Sequence, residues 1–529
     1  MGDGFMDPTN NAGHPRRWAI LSVLVVSLLV VVLDNTVLNV ALRTIADPVR
    51  GLGASQSELE WAINSYTLVF AGLLFTAGVL GDRYGRRAVL LVGLALFGAA
   101  SLVSSYAQDP GQLIAARALM GIGGAAVLPA TLSIISNVFD PRERGRAIGI
   151  WAGSVGLAVA VGPVVGGLLL EHFWWGSVFL INVPIVIAGI IAAIVIVPES
   201  RDPRPGRIDL AGVLLSIAGL VVLVYGVVDG GDHGFGRPAA WGSILAGLVI
   251  LAVFVGYERR IAFPSLDVRL FANPRFSAAV AAVGLVFFAA MGSMFFTAFY
   301  LQLVRGFSPL RTGLLMVPFA VAQMIFAPRS SAMVRRYGPR AVMAVGMALG
   351  MVSLGMFAFV TATTPVWIVA GLAFLQGVAL ANVMPPATES VMSSLPREKA
   401  GVGSAVSNTI RQVGGALGVA VLGSVLSASY RAGMTPYVAG LPAPARGTAA
   451  ESISGGYAVA ARIGAAGRTL VGHVNDSFVH AMHHAAIGSA AVSLIGLVVV
   501  VSWLPRHSGA PLPAAVAVSD DGRELADVR

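Results

Sequence analysis

Long apolar runs broken by short polar connections dominate the chain. A run of about 20 apolar residues crosses a hydrocarbon core of about 30 Å as a helix. This window predicts helices near 18–42, 58–80, 88–107, 112–138, 146–170, 175–197, 208–228, 240–257, 277–301, 311–333, 340–361, 365–388, 401–429 and 478–504. The fold class expected is therefore an all-α polytopic membrane protein with fourteen spans. The first run follows Arg16 and Arg17, exceeds a signal-peptide core in length and lacks a cleavage site after it, so it reads as a retained helix.

The connections carry charge unevenly. One side holds Arg83, Arg86, Arg87, Arg142, Arg144, Arg146, Arg259, Arg260, Arg335, Arg336 and Lys399, whereas the other is poor in Arg and Lys. The positive-inside rule places both termini in the cytoplasm, as an even number of spans requires, in a bacterial-type inner membrane.

The chain also repeats itself. RYGRRAVLLVG from Arg83 returns as RYGPRAVMAVG from Arg336, 253 residues later (336 minus 83). Pro129-Ala130-Thr131, followed by PRERG at Pro141, returns as Pro386-Ala387-Thr388, followed by PREKAG at Pro396. Six helices need only part of that offset, so a helix pair lies between two six-helix bundles. The expected organisation is a cytoplasmic segment 1–17, a bundle 18–198, an inserted pair 199–260, a second bundle 261–504 with a long external loop 430–477, and a disordered tail 505–529. Parallel repeats of this kind place a substrate site between the halves near mid-membrane.

Composition narrows the function. Of 529 residues, 56% are hydrophobic and 12% charged, and the mean hydropathy is +0.80, a surplus of apolar surface that lipid must cover. The net charge of +9 reads as topology charge and not as a nucleic-acid surface. The absence of cysteine removes thiolate chemistry and Cys-based metal sites. No GxxxxGK[ST] phosphate loop occurs, so nothing supports ATP hydrolysis and no cofactor is expected beyond a proton gradient. His480, His483 and His484 lack nearby acids, and no metal site is assigned.

Charge inside a span costs about 2.5–3.5 kcal/mol on insertion scales and marks function by default. Asp34 stands inside the first predicted helix, and Arg117 near the start of the fourth is its natural partner. The repeat sharpens the pairing, because twelve residues before Pro129 stands Arg117 and twelve before Pro386 stands Phe374. In GVLGDRYGRR, the residues Gly78, Asp82, Arg83, Gly85, Arg86 and Arg87 form a loop able to lock one conformation by ion pairing. The fifth helix carries Gly149 and Gly153, then Gly162, Pro163, Gly166 and Gly167, at spacings that admit close helix approach and a bend. Pocket candidates are Asn35, Asn64, Tyr66, Phe70, Phe295, Phe296, Tyr300, Gln302, Gln323, Asn382 and Glu389, although Glu389 also fits a solvated helix end; Arg411 lies within the thirteenth helix.

LDNTVLNVAL, GVLGDRYGRR, RALMGIGGA and the GPVVGG helix together resemble the fourteen-helix drug:proton antiporter branch of the major facilitator superfamily. The resemblance implies that Asp34 is the coupling acid, Arg117 a proton-relay arginine and Asp82 the loop acid of a conformational switch. It also implies export over uptake. Antiporters similar to this chain that take divalent cations often carry an acid where Asn64 stands, so the expected cargo is a hydrophobic or monocationic drug, moved by alternating access against protons by a monomer that is not an enzyme. An exporter of lipid or an endogenous metabolite, or a proton symporter, would share the fold.

Overall fold

The computed structural model describes residues 14–201, 209–261, 264, 266, 268–394, 400–463 and 465–504. The expected N-terminal segment lies almost wholly outside them, the tail 505–529 and most of PREKAG wholly so.

Helices α1 (Arg17–Ala46), α2 (Gln56–Tyr84), α3 (Arg86–Ser105), α4 (Pro110–Val138), α5 (Pro141–His172), the short α6 (Ser177–Leu180) and α7 (Asn182–Ile196) form the first half. Helices α8 (Leu210–His233) and α9 (Pro238–Glu258) follow as a pair. The second half contains α10 (Pro274–Phe299), α11 (Pro309–Met356), α12 (Val366–Ser393), α13 (Ala400–Val438), α14 (Ala443–Glu451), α15 (Ile453–Arg462) and α16 (Ala465–Trp503). Among the described residues twelve helices are long and apolar enough to cross a membrane, or thirteen if α2, bent by 52° near Leu74, is one span. Helix α5 includes residues outside that description; its apolar stretch is Val161–His172.

Local chemistry sets the helix starts. Ser55 and Glu58 close a reciprocal capping box on α2. Asp109, Asn273 and Ser308 cap α4, α10 and α11, each followed by a proline whose missing N–H costs nothing there. Helices α2 and α3 separate at Gly85, with φ of +118°, and α11 turns at Gly338, with φ of +80°. These glycines occupy the same position of the repeated RYG motif, where an L side chain would be strained. Helix α11 therefore holds two helices, one on each side of the kink at Gly338.

Helix α8 packs on α2 and α13, and α9 packs on α8. Leu245, Leu248, Val249 and Val253 on α9 and Ile187, Ile191, Ile194 and Val195 on α7 are exposed, as a lipid-facing side requires.

The segment 430–477 is not an extended loop. Helix α13 continues to Val438, α14 and α15 follow, and α16 begins at Ala465. Its alanines are the strongest helix formers, a property invisible to a hydropathy window. Tyr430 donates to the Ala449 carbonyl (3.1 Å), and Tyr457 donates to the Leu303 carbonyl (3.0 Å) and to Asn475 Oδ1 (2.6 Å). These contacts fasten the small helices over the ends of α10, α13 and α16. We call this end the far side, since α1 starts at the other.

Candidate functional site

Asp34 is 1% exposed and Arg117 fully buried. Arg117 Nη1 donates to Asp34 Oδ2, its Nε donates to the Ala62 carbonyl on α2 (3.0 Å), and its Nη2 reaches Asn35 Oδ1 (3.4 Å). The guanidinium lies over the Tyr66 ring, 4.4 Å from its centroid. Tyr66 fits there because α4 is thin opposite it: a Cβ at Gly124 would stand 2.9 Å from the Tyr66 hydroxyl, and one at Gly121 2.6 Å from the Tyr66 carbonyl. Phe70 stacks on Tyr66 one turn away. The glycines of RALMGIGGA thus make room for the aromatic floor of the ion pair.

Two polar residues not anticipated from sequence complete the site. Asn182 Nδ2, at the start of α7, donates to Asp34 Oδ1 (3.0 Å) and to Ser101 Oγ (3.0 Å), and Ser101 donates to the Phe179 carbonyl (2.8 Å). Four helices besides α1 therefore converge on one carboxylate and its guanidinium. Such a pair repays its desolvation only when its remaining hydrogen-bonding capacity is met, as the Ala62 carbonyl and Asn182 do here. Asn182 interrupts the apolar run FLINVPIV, which is the signal that could have found it.

The loop between α2 and α3 is tied down from outside the repeat. Asp82 pairs with Arg86 (2.9 Å). Glu199, after α7, accepts from the backbone N–H of Arg87 (3.1 Å) and Ala88 (3.2 Å) and stands 3.8 Å from the Arg87 guanidinium. A carboxylate at the N-terminus of α3 satisfies orphan donors and opposes the helix dipole. A Cβ on Gly85 would lie 2.7 Å from Glu199 Oε1, so both the backbone conformation and the space demand glycine. Gly78 faces Pro129 at 3.7 Å, while Arg83 is exposed. Sequence reasoning missed Glu199.

Helix α5 uses its small residues on two neighbours. A Cβ at Gly162 would collide with Thr36 of α1, and one at Gly166 with Val37. One at Gly167 would meet the Leu310 backbone of α11 at 2.4 Å, and one at Gly313 of α11 the Pro163 carbonyl at 2.2 Å. Gly149 faces open space, and the surroundings of Gly153 lie outside the description. The α5–α11 seam joins the halves on the far side. There Gln302 donates to the Val40 carbonyl (2.9 Å), Arg43 donates to the Gln302 carbonyl, and buried Glu60 of α2 stands against Gly423 of α13.

Beneath this seam lie two neighbouring cavities that share lining residues. The smaller is walled by Asn39 and Val40 of α1, Pro163 of α5, Met294 and Ala298 of α10, and Thr312 and Met316 of α11. The larger shares Met294 and Met316 and extends between α10, α11 and α12 to Phe319, Phe357, Val369 and Gln376. None of the expected pocket residues lines either cavity. Phe295 and Phe296 are adjacent to Met294 but turned about 100° and 200° around the helix, into packing with Phe299 and Phe357. Tyr300 donates to the Thr361 carbonyl (2.7 Å) and Asn382 to the Val378 carbonyl (2.8 Å). Gln302 serves the seam, Gln323 is half-buried on α11, and Glu389 is exposed at the end of α12. Asn64 is buried with neither side-chain atom hydrogen-bonded among the described residues. Asn35 and Asn39 link pair to cavity: Asn35 meets Arg117, and Asn39 donates to the Asn35 carbonyl (2.9 Å). The three histidines bond elsewhere, to Asp476, Val360 and Ser429, and no metal-binding cluster occurs among the described residues.

Two helical halves, a buried ion pair within the first and a cavity walled by both are the features of a membrane transporter. Residues 24–419 match the Major Facilitator Superfamily, and the chain belongs to it. It is 38% identical over 465 residues to the multidrug efflux pump LfrA of Mycolicibacterium smegmatis, covering 87% of this chain and 91% of that protein. It is 34% identical over 495 residues to the tetracenomycin C resistance and export protein of Streptomyces glaucescens, covering 92% and 91%. Among solved structures, a bacterial homologue of the human lysosomal transporter Spinster, inward-facing and unoccupied, superposes with a TM-score of 0.65 at 18% identity, covering 94% of this chain and all of that one. The relatives are drug and antibiotic efflux pumps.

Proposed function

We infer that the chain is a proton-coupled antiporter that exports hydrophobic or monocationic drug-like molecules by alternating access. The observation that carries this reading is the Asp34–Arg117 pair, sealed among five helices and one helical turn from the inter-half cavity. A proton taken by Asp34 removes the charge that holds Arg117, and Arg117 is also bonded to Asn35 on the cavity-lining helix. Protonation therefore alters α1, α2 and α4 together, and α1 carries the cavity wall at Asn39 and Val40. Methionine, alanine and phenylalanine walls suit cargo of varied shape, because thioether side chains repack around it.

The positive-inside pattern puts the termini in the cytoplasm, which makes the far side the exterior and the α5–α11 seam the external closure. Asp82 with Arg86, and Glu199 capping α3, then lock the cytoplasmic end of the first half. The test is a susceptibility panel of drugs and dyes in a bacterial strain lacking its own exporters. The wild type is expected to raise tolerance and extrude Nile red and ethidium, and Asp34→Asn to do neither. Equal tolerance of wild type and empty-vector cells to every compound, with lipid or metabolite release in its place, would favour the alternative cargo.

A further inference from the structure

Arg411, on α13, is a charged side chain within a span that the coupling reading does not use. Thr409, two residues earlier, reaches the Ala71 carbonyl midway along α2 (3.5 Å), so Arg411 stands near mid-membrane, where a cation is costly. The contact the structure gives it is the Phe287 ring of α10, with the guanidinium 5.6 Å from the centroid. Among the described residues none pairs with it as an acid or accepts a hydrogen bond from it.

Its position points to the cavity. Helices α13 and α10 touch where a Cβ at Gly414 would meet the Gly284 carbonyl (2.3 Å) and one at Gly415 would meet Met291 (3.0 Å). Met291 lines the larger cavity, with Ala290, Met294 and Thr297. Phe287 precedes Met291 by one turn on that face, and Arg411 precedes Gly415 by one turn on α13. The guanidinium thus reaches across from α13 onto the stripe of α10 that carries the cavity-lining Met291, one turn beyond it on the side away from the far-side seam.

We propose that Arg411 and Phe287 form an anion-recognising subsite at the inner end of this cavity, selecting cargo with an aromatic body and an acidic group such as a carboxylate or phenolate. The apolar walls take the body, the Phe287 ring stacks on it, and the guanidinium offers a fork of donors that matches a carboxylate. This rests on reading the cavity as the cargo site, and because a guanidinium repels a cation it replaces the monocationic part of that cargo range with hydrophobic molecules that carry an acid.

The experiment measures binding of 1-naphthoate and its uncharged isostere 1-naphthamide to the purified full-length protein by calorimetry, beside Nile red efflux from cells. Wild type is expected to bind naphthoate on the order of ten- to a hundred-fold more tightly than naphthamide, the range for hydrogen bonds to a charged group. Arg411→Gln should lose that preference while keeping naphthamide affinity, and Arg411→Lys should keep part of it. Equal binding of the two probes by wild type, or an undiminished preference in Arg411→Gln, overturns the subsite. If Arg411→Gln binds neither probe, Arg411→Lys decides: a reduced preference supports the proposal, and no preference overturns it. Naphthoate preference without dye efflux from wild-type cells would sink the export reading and leave the subsite standing; efflux without preference would do the reverse.

Discussion

Gly167→Ala tests alternating access at one atom. The added Cβ would lie 2.4 Å from Leu310 Cα, 2.7 Å from Leu310 N and 2.8 Å from the Pro309 carbonyl oxygen. All are backbone atoms at the first turn of α11, held by the Ser308 cap, so none can rotate aside. Overpacking of this kind costs about 1–3 kcal/mol. The cost falls only on the conformation in which α5 and α11 touch, so the ratio of far-side-open to far-side-closed molecules rises roughly 5- to 150-fold. The natural chain has no cysteine, so Asn39→Cys places a single thiol in the cavity beneath the seam. A membrane-impermeant maleimide added from the far side should label it faster in Gly167→Ala, toward the ceiling set by the open state. Gly149→Ala, where a Cβ meets nothing within 4 Å, is the matched control and should leave the rate unchanged. If Gly167→Ala labels like wild type while remaining folded, the α5–α11 seam is not the closure.

Three further outcomes are expected. Arg117→Met leaves a buried carboxylate uncompensated and should cost about 3–5 kcal/mol; thermal unfolding of the purified variants should show Arg117→Met with Asp34→Asn to be more stable than Arg117→Met alone. Glu199→Ala removes the acceptor for the first N–H groups of α3 and should cost about 0.5–2 kcal/mol, the range for a lost helix cap, seen as a lower melting temperature and slower dye efflux. Asn182→Leu leaves Asp34 Oδ1 and Ser101 without their shared donor, a loss of about 1–3 kcal/mol that Asn182→Gln should partly restore in the same melting assay.

The architecture was legible because lipid imposes one length on every span and because RYG recurs with its glycine at a backbone turn, Gly85 and Gly338. Asp34 and Arg117 were legible for a related reason: a charge in an apolar run has few explanations. Asn182 and Ser101 were not, since neutral polar side chains occur in spans without meeting a charge, and only the meeting of α3 and α7 on α1 gives these two a role. Glu199 lies beyond the repeat and far along the chain from the loop it caps. The aromatic pocket residues misled because adjacent helix positions differ by about 100°: Met294 faces the cavity while Phe295 and Phe296 fill the core. The helices within 430–477 escaped notice because alanine-rich segments are good helices without being strongly apolar.

The coupling claim is tested most directly by proton release on cargo binding. Purified protein in weakly buffered detergent solution, carrying a pH-indicator dye, is mixed with Nile red. The account predicts that wild type releases protons as the cargo binds and that Asp34→Asn binds it without release. Proton release of the same size from Asp34→Asn, or binding by wild type with no release across the pH range where export is active, would contradict it.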